Sequence, residues 1–179
     1  ETLRLSETTP DGYVESAQQL DDFIQNAVKS RSGEKKPVLV WIFDPADDKT
    51  NNNLDSKIFY DEKIGLALKQ FTCLKGDVET IPDETLMKKI IRKTPIFYFF
   101  DPAGEPFDTL SGKQATSRSG FTSRLEKLWE LSYEMKLRVF AKKMSTLLDQ
   151  MDKLEGKKQQ LEQKMARAAA NPRKYAALK

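Results

Sequence analysis

Residues 37–53 read PVLVWIFDPADDKTNNN, and residues 94–104 read TPIFYFFDPAG. Val38–Phe43 is an unbroken apolar run of strand length that stops at Asp44. Continuous rather than alternating apolarity predicts a strand covered on both faces, as in the middle of a sheet with helices on either side. The second stretch has Pro95 at its entry, where a missing N–H is tolerated, followed by the strand Ile96–Phe100. Asp101-Pro-Ala-Gly104 is a turn into a further strand over Pro106–Leu110. The consecutive aromatics Phe97, Tyr98, Phe99 and Phe100 predict core on both faces of that strand rather than a ligand pocket.

Around these strands the apolar period changes to that of helices. Val14, Ala17, Leu20, Phe23, Ile24, Ala27 and Val28 recur at helical spacing, predicting an amphipathic helix that ends near Ser30–Gly33. Leu54, Ile58, Phe59, Ile64 and Leu68 predict a helix from about Leu54, with a break at Tyr60-Asp61. Phe71–Val78 reads as a strand, and Asp83–Arg92 as a short helix behind Pro82 with Leu86, Ile90 and Ile91 inward. Leu125, Leu128, Trp129 and Leu131 predict the last helix of the domain. Strands alternating with helices define an α/β fold with a mixed sheet.

The stretch resembles the thioredoxin fold, in the branch of exported thioredoxin and disulfide-isomerase-like domains whose members read roughly KPVLV, WCxxC, EVFSDPEV, FV-K-D and TPTFVFLDPDG. Lys57–Ile64 lies where EVFSDPEV would stand, which sets Asp48 and Asn51 at the positions of the two family cysteines. The resemblance implies a retained fold over residues 13–130 without disulfide chemistry. It also implies that Thr94-Pro95 is a cis bond packed beneath the 48–51 loop, where relatives bind an extended peptide. The layout is similar, too, to the UAS domains of ubiquitin-adaptor proteins, which often lack CxxC and precede a long charged helix. Relatives with a DPxG-type strand are frequent among exported bacterial proteins. That implies an extracytoplasmic, periplasmic setting, with the cytoplasm as the alternative.

Composition narrows the chemistry further. The 179 residues contain one Cys and no His, which removes an internal disulfide, the commonest general base and the commonest metal ligand. Zinc sites without His would need several cysteines. The Asp/Asn-rich loop 44–53 invites a calcium reading, but the EF-hand Gly and closing Glu are missing. No metal and no cofactor are expected. Cys73, between Phe71 and Leu74, reads as a buried, inert thiol in an interior strand. The competing expectation is a monothiol oxidoreductase working through it.

The net charge of +3 conceals a division. Residues 1–117 hold 15 Lys/Arg against 20 Asp/Glu, whereas residues 118–179 hold 15 against 7. In the basic part a heptad register runs Leu137, Phe140, Met144, Leu147, Met151, Leu154, Lys158, Leu161, Met165, Ala168. Asn171-Pro172 ends it. Helical continuously from about Gly120 to Ala170, the rod would be on the order of 75 Å long. Lys142-Lys143, Lys157-Lys158 and Arg173-Lys174 are interleaved with Asp149, Asp152, Glu155 and Glu162 and lack an aromatic stacking platform. They read as a solvated coiled-coil face, so nucleic acid is not expected as a partner. No apolar run approaches the length needed to span a bilayer.

The organisation predicted is an irregular lead-in (1–12), a thioredoxin-like domain (13–130), a long amphipathic coiled-coil helix (131–171) and a tail (172–179) compatible with the start of a further element. The function expected is that of a redox-inactive, non-enzymatic binding or assembly module. It associates with protein through Leu137, Phe140, Met144, Leu147, Met151, Leu154, Leu161 and Met165, with a homodimer as the leading form.

Overall fold

The computed structural model describes residues 2, 3, 5, 16–30 and 36–169. Most of the predicted lead-in, Val14 and Gly33 of the first helix, Asn171-Pro172, Arg173-Lys174 and the tail lie outside the described residues. The chain divides into two compact units, residues 1–138 and 139–179.

The first unit is a thioredoxin-like α/β fold. Its strands are β1 (Thr2–Leu3), β2 (Val38–Phe43), β3 (Thr72–Asp77), β4 (Ile96–Phe100) and β5 (Pro106–Ser111), in the spatial order β1-β3-β2-β4-β5. β1 and β2 run parallel to β3, while β4 is antiparallel to both β2 and β5. The apolar run is therefore the central strand. Val38, Val40 and Ile42 point to one face, where they meet Leu20, Ile24 and Val28 of α1 (Ala17–Lys29) and Leu86 and Ile90 of α4 (Glu84–Ile91). The i, i+4 spacing of the α1 residues places all three on one stripe, and Ser16 caps the helix by accepting from the Gln19 N–H at 3.2 Å. Thr2 and Leu3 pair with Lys75 and Gly76, so the predicted irregular lead-in holds a short strand, with Leu3 and Leu5 buried.

The opposite face is aromatic. Trp41 stacks with Phe97 at 5.9 Å, and Phe121 of α6 (Arg118–Ser132) meets Phe97 edge-on at 5.0 Å and Phe99 at 5.7 Å. Phe97 and Phe99 thus face α6, while Tyr98 and Phe100 join the α1/α4 side. The aromatic run is core on both faces, as the sequence predicted.

Three helix boundaries differ from expectation. The helix predicted from about Leu54 begins at Asp48 as α2 (Asp48–Leu54), because Asp47 caps it by accepting from the Thr50 N–H at 3.0 Å. It continues as a π-helical turn over Asp55–Phe59 and breaks at Tyr60, where a break was expected, before Asp61 caps α3 (Glu62–Leu68). Leu131 is 68% exposed and does not join Leu125, Leu128 and Trp129 in the core. The continuous rod from Gly120 is absent. α6 stops at Ser132, Tyr133 is extended, and α7 (Leu137–Ala169) starts afresh. Two tertiary hydrogen bonds hold the break: Trp129 Nε1–H donates to the Met135 carbonyl at 2.5 Å, and the Tyr133 hydroxyl donates to the Gln70 carbonyl at 2.7 Å.

α7 has 33 residues, about 50 Å at the usual helical rise. Gly156 lies in its interior, where an added Cβ meets nothing within 4 Å. We expect Gly156→Ala to raise helix stability by about 0.5–1 kcal/mol, since glycine loses more backbone entropy and alanine adds no clash. Thermal melting followed by circular dichroism checks this, and a lower midpoint for the alanine variant would contradict it.

Candidate functional site

In this topology the turn after β2 and the entry to β4 are the places where a thioredoxin-like fold can carry chemistry. Asp44–Asn53 forms that turn and most of α2. Asp44 fixes the turn twice, its side chain accepting from the Ala46 N–H at 2.9 Å and its carbonyl accepting from the Asn51 amide at 2.8 Å. Asp48 is exposed in the first turn of α2, and Asn51 lies one turn on, half-buried. Asp47 is the capping residue, and its hydrogen bonds from Thr50 hold its carboxyl below the usual carboxylate range. The turn offers oxygen atoms and an amide already committed to backbone structure, and no sulfur.

Thr94-Pro95 is cis, and Pro95 is buried. The Thr94 N–H donates to the Ile91 carbonyl at 3.1 Å, and its hydroxyl donates to the same oxygen at 2.7 Å. The Gly112 N–H donates to the carbonyls of both Lys93, at 2.9 Å, and Pro95, at 3.1 Å. The Thr94 N–H and the Lys93 and Pro95 carbonyls beside the cis bond thus have internal partners. Among the described residues, no hydrogen bond joins Thr94 or Pro95 to Asp48 or Asn51.

Cys73 departs from expectation. β3 alternates, with Leu74 and Gly76 turned to the α1/α4 core and Cys73 and Lys75 to the other face, where Cys73 is exposed rather than buried. It lies on the wall of an apolar cavity of about 310 Å3 with Leu39, Trp41, Phe59, Leu68 and Phe97. Its Sγ is 3.7 Å from the Leu68 carbonyl oxygen. Although the residue as a whole has exposed area, these walls desolvate the sulfur, and the thiol is pushed up to about 11. The nearest cation on the strand, Lys75, is turned onto aromatic rings, 4.5 Å from the Trp41 centroid and 3.9 Å from that of Phe43. The side-chain N–H of Trp41 is buried without a partner. Lowering a thiol's pKa takes a positive charge directed at the sulfur, whereas here Lys75, which also lines the cavity, has its ammonium over aromatic rings and the other walls are apolar.

The remaining sequence-predicted residues lie on α7. Leu137 is buried, while Phe140 and Met144 are half-buried. Leu147, Met151, Leu154, Leu161 and Met165 are between 51% and 65% exposed. Leu148, which the heptad register did not single out, is exposed next to them. Among the described residues there is no cluster of three or more metal-ligating side chains, and no helix is long and apolar enough to cross a membrane.

No family model matches the chain, and no curated protein matches it. Solved structures do resemble it. A thioredoxin from Fasciola hepatica is 19% identical, over 62% of this chain and 92% of that one, with a TM-score of 0.39. A Thermus thermophilus thioredoxin is 17% identical over 57% and 78%, with a TM-score of 0.42. A disulphide isomerase from Xylella fastidiosa Temecula1 is 17% identical over 68% and 96%, with a TM-score of 0.41. Likenesses this distant carry nothing about activity. The thioredoxin-like class rests on the strand order and pairing described above.

Two outcomes are expected. Asp47→Ala should cost about 0.5–2 kcal/mol of stability by removing the α2 cap, and Asp48→Ala much less. Equal losses in denaturant titrations would sink the assignment of the cap. Cys73 should react with Ellman's reagent about tenfold more slowly at pH 7 than a free cysteine, because the lost thiolate is only partly offset by greater nucleophilicity. The rate should keep rising with pH towards about 11. A plateau near pH 8 would refute the desolvated environment.

Proposed function

We propose that this chain is a redox-inactive thioredoxin-like module that works by binding protein through α7. The observation that carries this reading is the exposed apolar row Leu147, Met151, Leu154, Leu161 and Met165. A side chain of this kind gains about 1.5–3 kcal/mol when fully buried, so the row has a strong drive towards a partner. Loss of catalysis is supported by the capped turn at Asp48 and Asn51, where we place the family's cysteines, and by the single thiol, whose charged form is suppressed. The monothiol alternative through Cys73 needs a thiolate that this cavity disfavours. A UAS-type adaptor would be one instance of the same binding class. For Thr94-Pro95, a fold-maintaining role is favoured over a peptide groove, since the Thr94 N–H and the Pro95 carbonyl are already bonded within the chain.

Insulin reduction by the full chain should not exceed a control without protein; turnover abolished by Cys73→Ser would overturn the non-enzymatic reading. Light scattering at tens of micromolar should give a mass well above the 20.5 kDa of one chain. Leu147→Glu combined with Leu154→Glu should return it to that mass with the near-ultraviolet spectrum of the head unchanged.

A further inference from the structure

The exposed row on α7 has a charge frame that selects its occupant. With Leu147, Leu154 and Leu161 at d and Met151, Lys158 and Met165 at a, the flanking g positions are Lys143, Gln150, Lys157 and Lys164. The e positions over the same stretch are Leu148, Glu155 and Glu162. One flank is thus basic or neutral and the other acidic or apolar. The helix is complementary to itself in one orientation.

We infer that the occupant of this face is the α7 of a second copy, aligned parallel and in register. This rests on the proposed reading that the row is a protein-binding surface. In a parallel pair each g residue faces the e residue five positions on in the other helix. Lys157 then meets Glu162 of the other copy, and Gln150 meets Glu155, each twice per dimer. In an antiparallel pair centred on the same row, g faces g and e faces e. Lys157 would then oppose its own copy, and so would Glu155, leaving like charges together on both flanks. Leucine at d also suits a two-stranded parallel seam.

Lys158 is consistent with the same arrangement. It occupies an a position, where a parallel pair sets it beside its counterpart, yet its Nζ is already 3.9 Å from the Glu162 carboxylate of its own helix, both side chains being well exposed. Its charged end is therefore directed to the flank while its stem covers the seam. A single lysine at an a position costs stability but fixes register and opposes higher assemblies, in which that position is more deeply enclosed. The head precedes residue 139 in the chain, so a parallel pair joins both heads to the same end of the seam.

The test uses the full chain carrying Cys73→Ser, so that introduced thiols are the only ones. Under mild oxidation Met165→Cys should cross-link to itself in the majority of chains, and so should Leu147→Cys tested alone. A mixture of the two variants should yield little mixed disulfide beyond chance re-pairing by exchange. Preferential Leu147–Met165 cross-linking would show an antiparallel pair, overturning this inference while leaving the binding role of α7 standing. A monomer by light scattering at tens of micromolar would overturn the second copy as occupant. Independently, Lys157→Glu should weaken self-association several-fold, and Lys157→Glu with Glu162→Lys should restore it. Failure of that restoration in a folded double variant would also count against the parallel alignment.

Discussion

The burial of β2 on both faces is the constraint on which the rest of the first unit depends. Val38, Val40 and Ile42 need cover on one side and Leu39, Trp41 and Phe43 on the other, so one strand demands two layers of helix. α1 and α4 supply the first layer with leucine, isoleucine and valine. The other side is lined by rings: Phe59 and Phe97 lie against Trp41, at 5.0 and 5.9 Å, and Phe121 of α6 meets Phe59 and Phe97 in turn, at 6.5 and 5.0 Å. Aromatic packing of this kind combines large buried area with edge-to-face attraction, which fixes the seating of α6. Strand neighbours then follow from what remains available, parallel β3 on one side and antiparallel β4 on the other.

The same layout explains how the turn after β2 is held without sulfur. A CxxC centre draws on a helix N-terminus after the central strand, because a thiolate is stabilised by the free N–H groups there. In this chain those groups have a carboxylate instead, Asp47 accepting from Thr50, with Asn51 tied back to Asp44. The structural need of the turn is met by oxygen acceptors, and the strand, cap and helix do not require sulfur. The remaining thiol lies on β3, the strand next to β2, level with Leu39 near the start of β2 whereas α2 follows its end, and against aliphatic and aromatic walls. Chemistry and architecture are separable here because the turn's hydrogen bonds and the sheet's apolar burial involve different atoms.

What was legible in the sequence follows the same division. Val38–Phe43 and Ile96–Phe100 could be read directly, since two-sided burial writes itself as unbroken apolarity. α1 was legible from the spacing of Leu20, Ile24 and Val28. Cys73 was misplaced because its neighbours Phe71 and Leu74 read as an interior strand, whereas β3 alternates and turns Cys73 with Lys75 to its more exposed face. The start of α2 was hidden because Asp48–Asn53 has no apolar period at all; only the cap at Asp47 marks it. The break between α6 and α7 was hidden for another reason. Heptad periodicity reports which side of a helix is apolar, not whether the helix is continuous, and the break is held by a Trp129–Met135 contact across the connection and by a Tyr133–Gln70 contact between residues far apart in sequence.

That break also changes what the apolar row on α7 means. A single rod from Gly120 would share one stripe between covering the sheet and contacting a partner. Separate helices divide the work, with Phe121, Leu125, Leu128 and Trp129 of α6 wholly committed to the core and α7 given its own register. Along the heptad row of α7, Leu137 is buried, Phe140 and Met144 are half-buried, and Leu147, Met151, Leu154, Leu161 and Met165 are each more than half exposed. Exposed leucine contributes nothing to the folding of an isolated helix and favours aggregation. Here leucine and methionine continue at heptad spacing for nearly three further turns of the repeat, interrupted only by Lys158, while Lys and Glu are sorted to opposite flanks. On the proposed reading, sorted flanks would give a pair of such helices one preferred orientation.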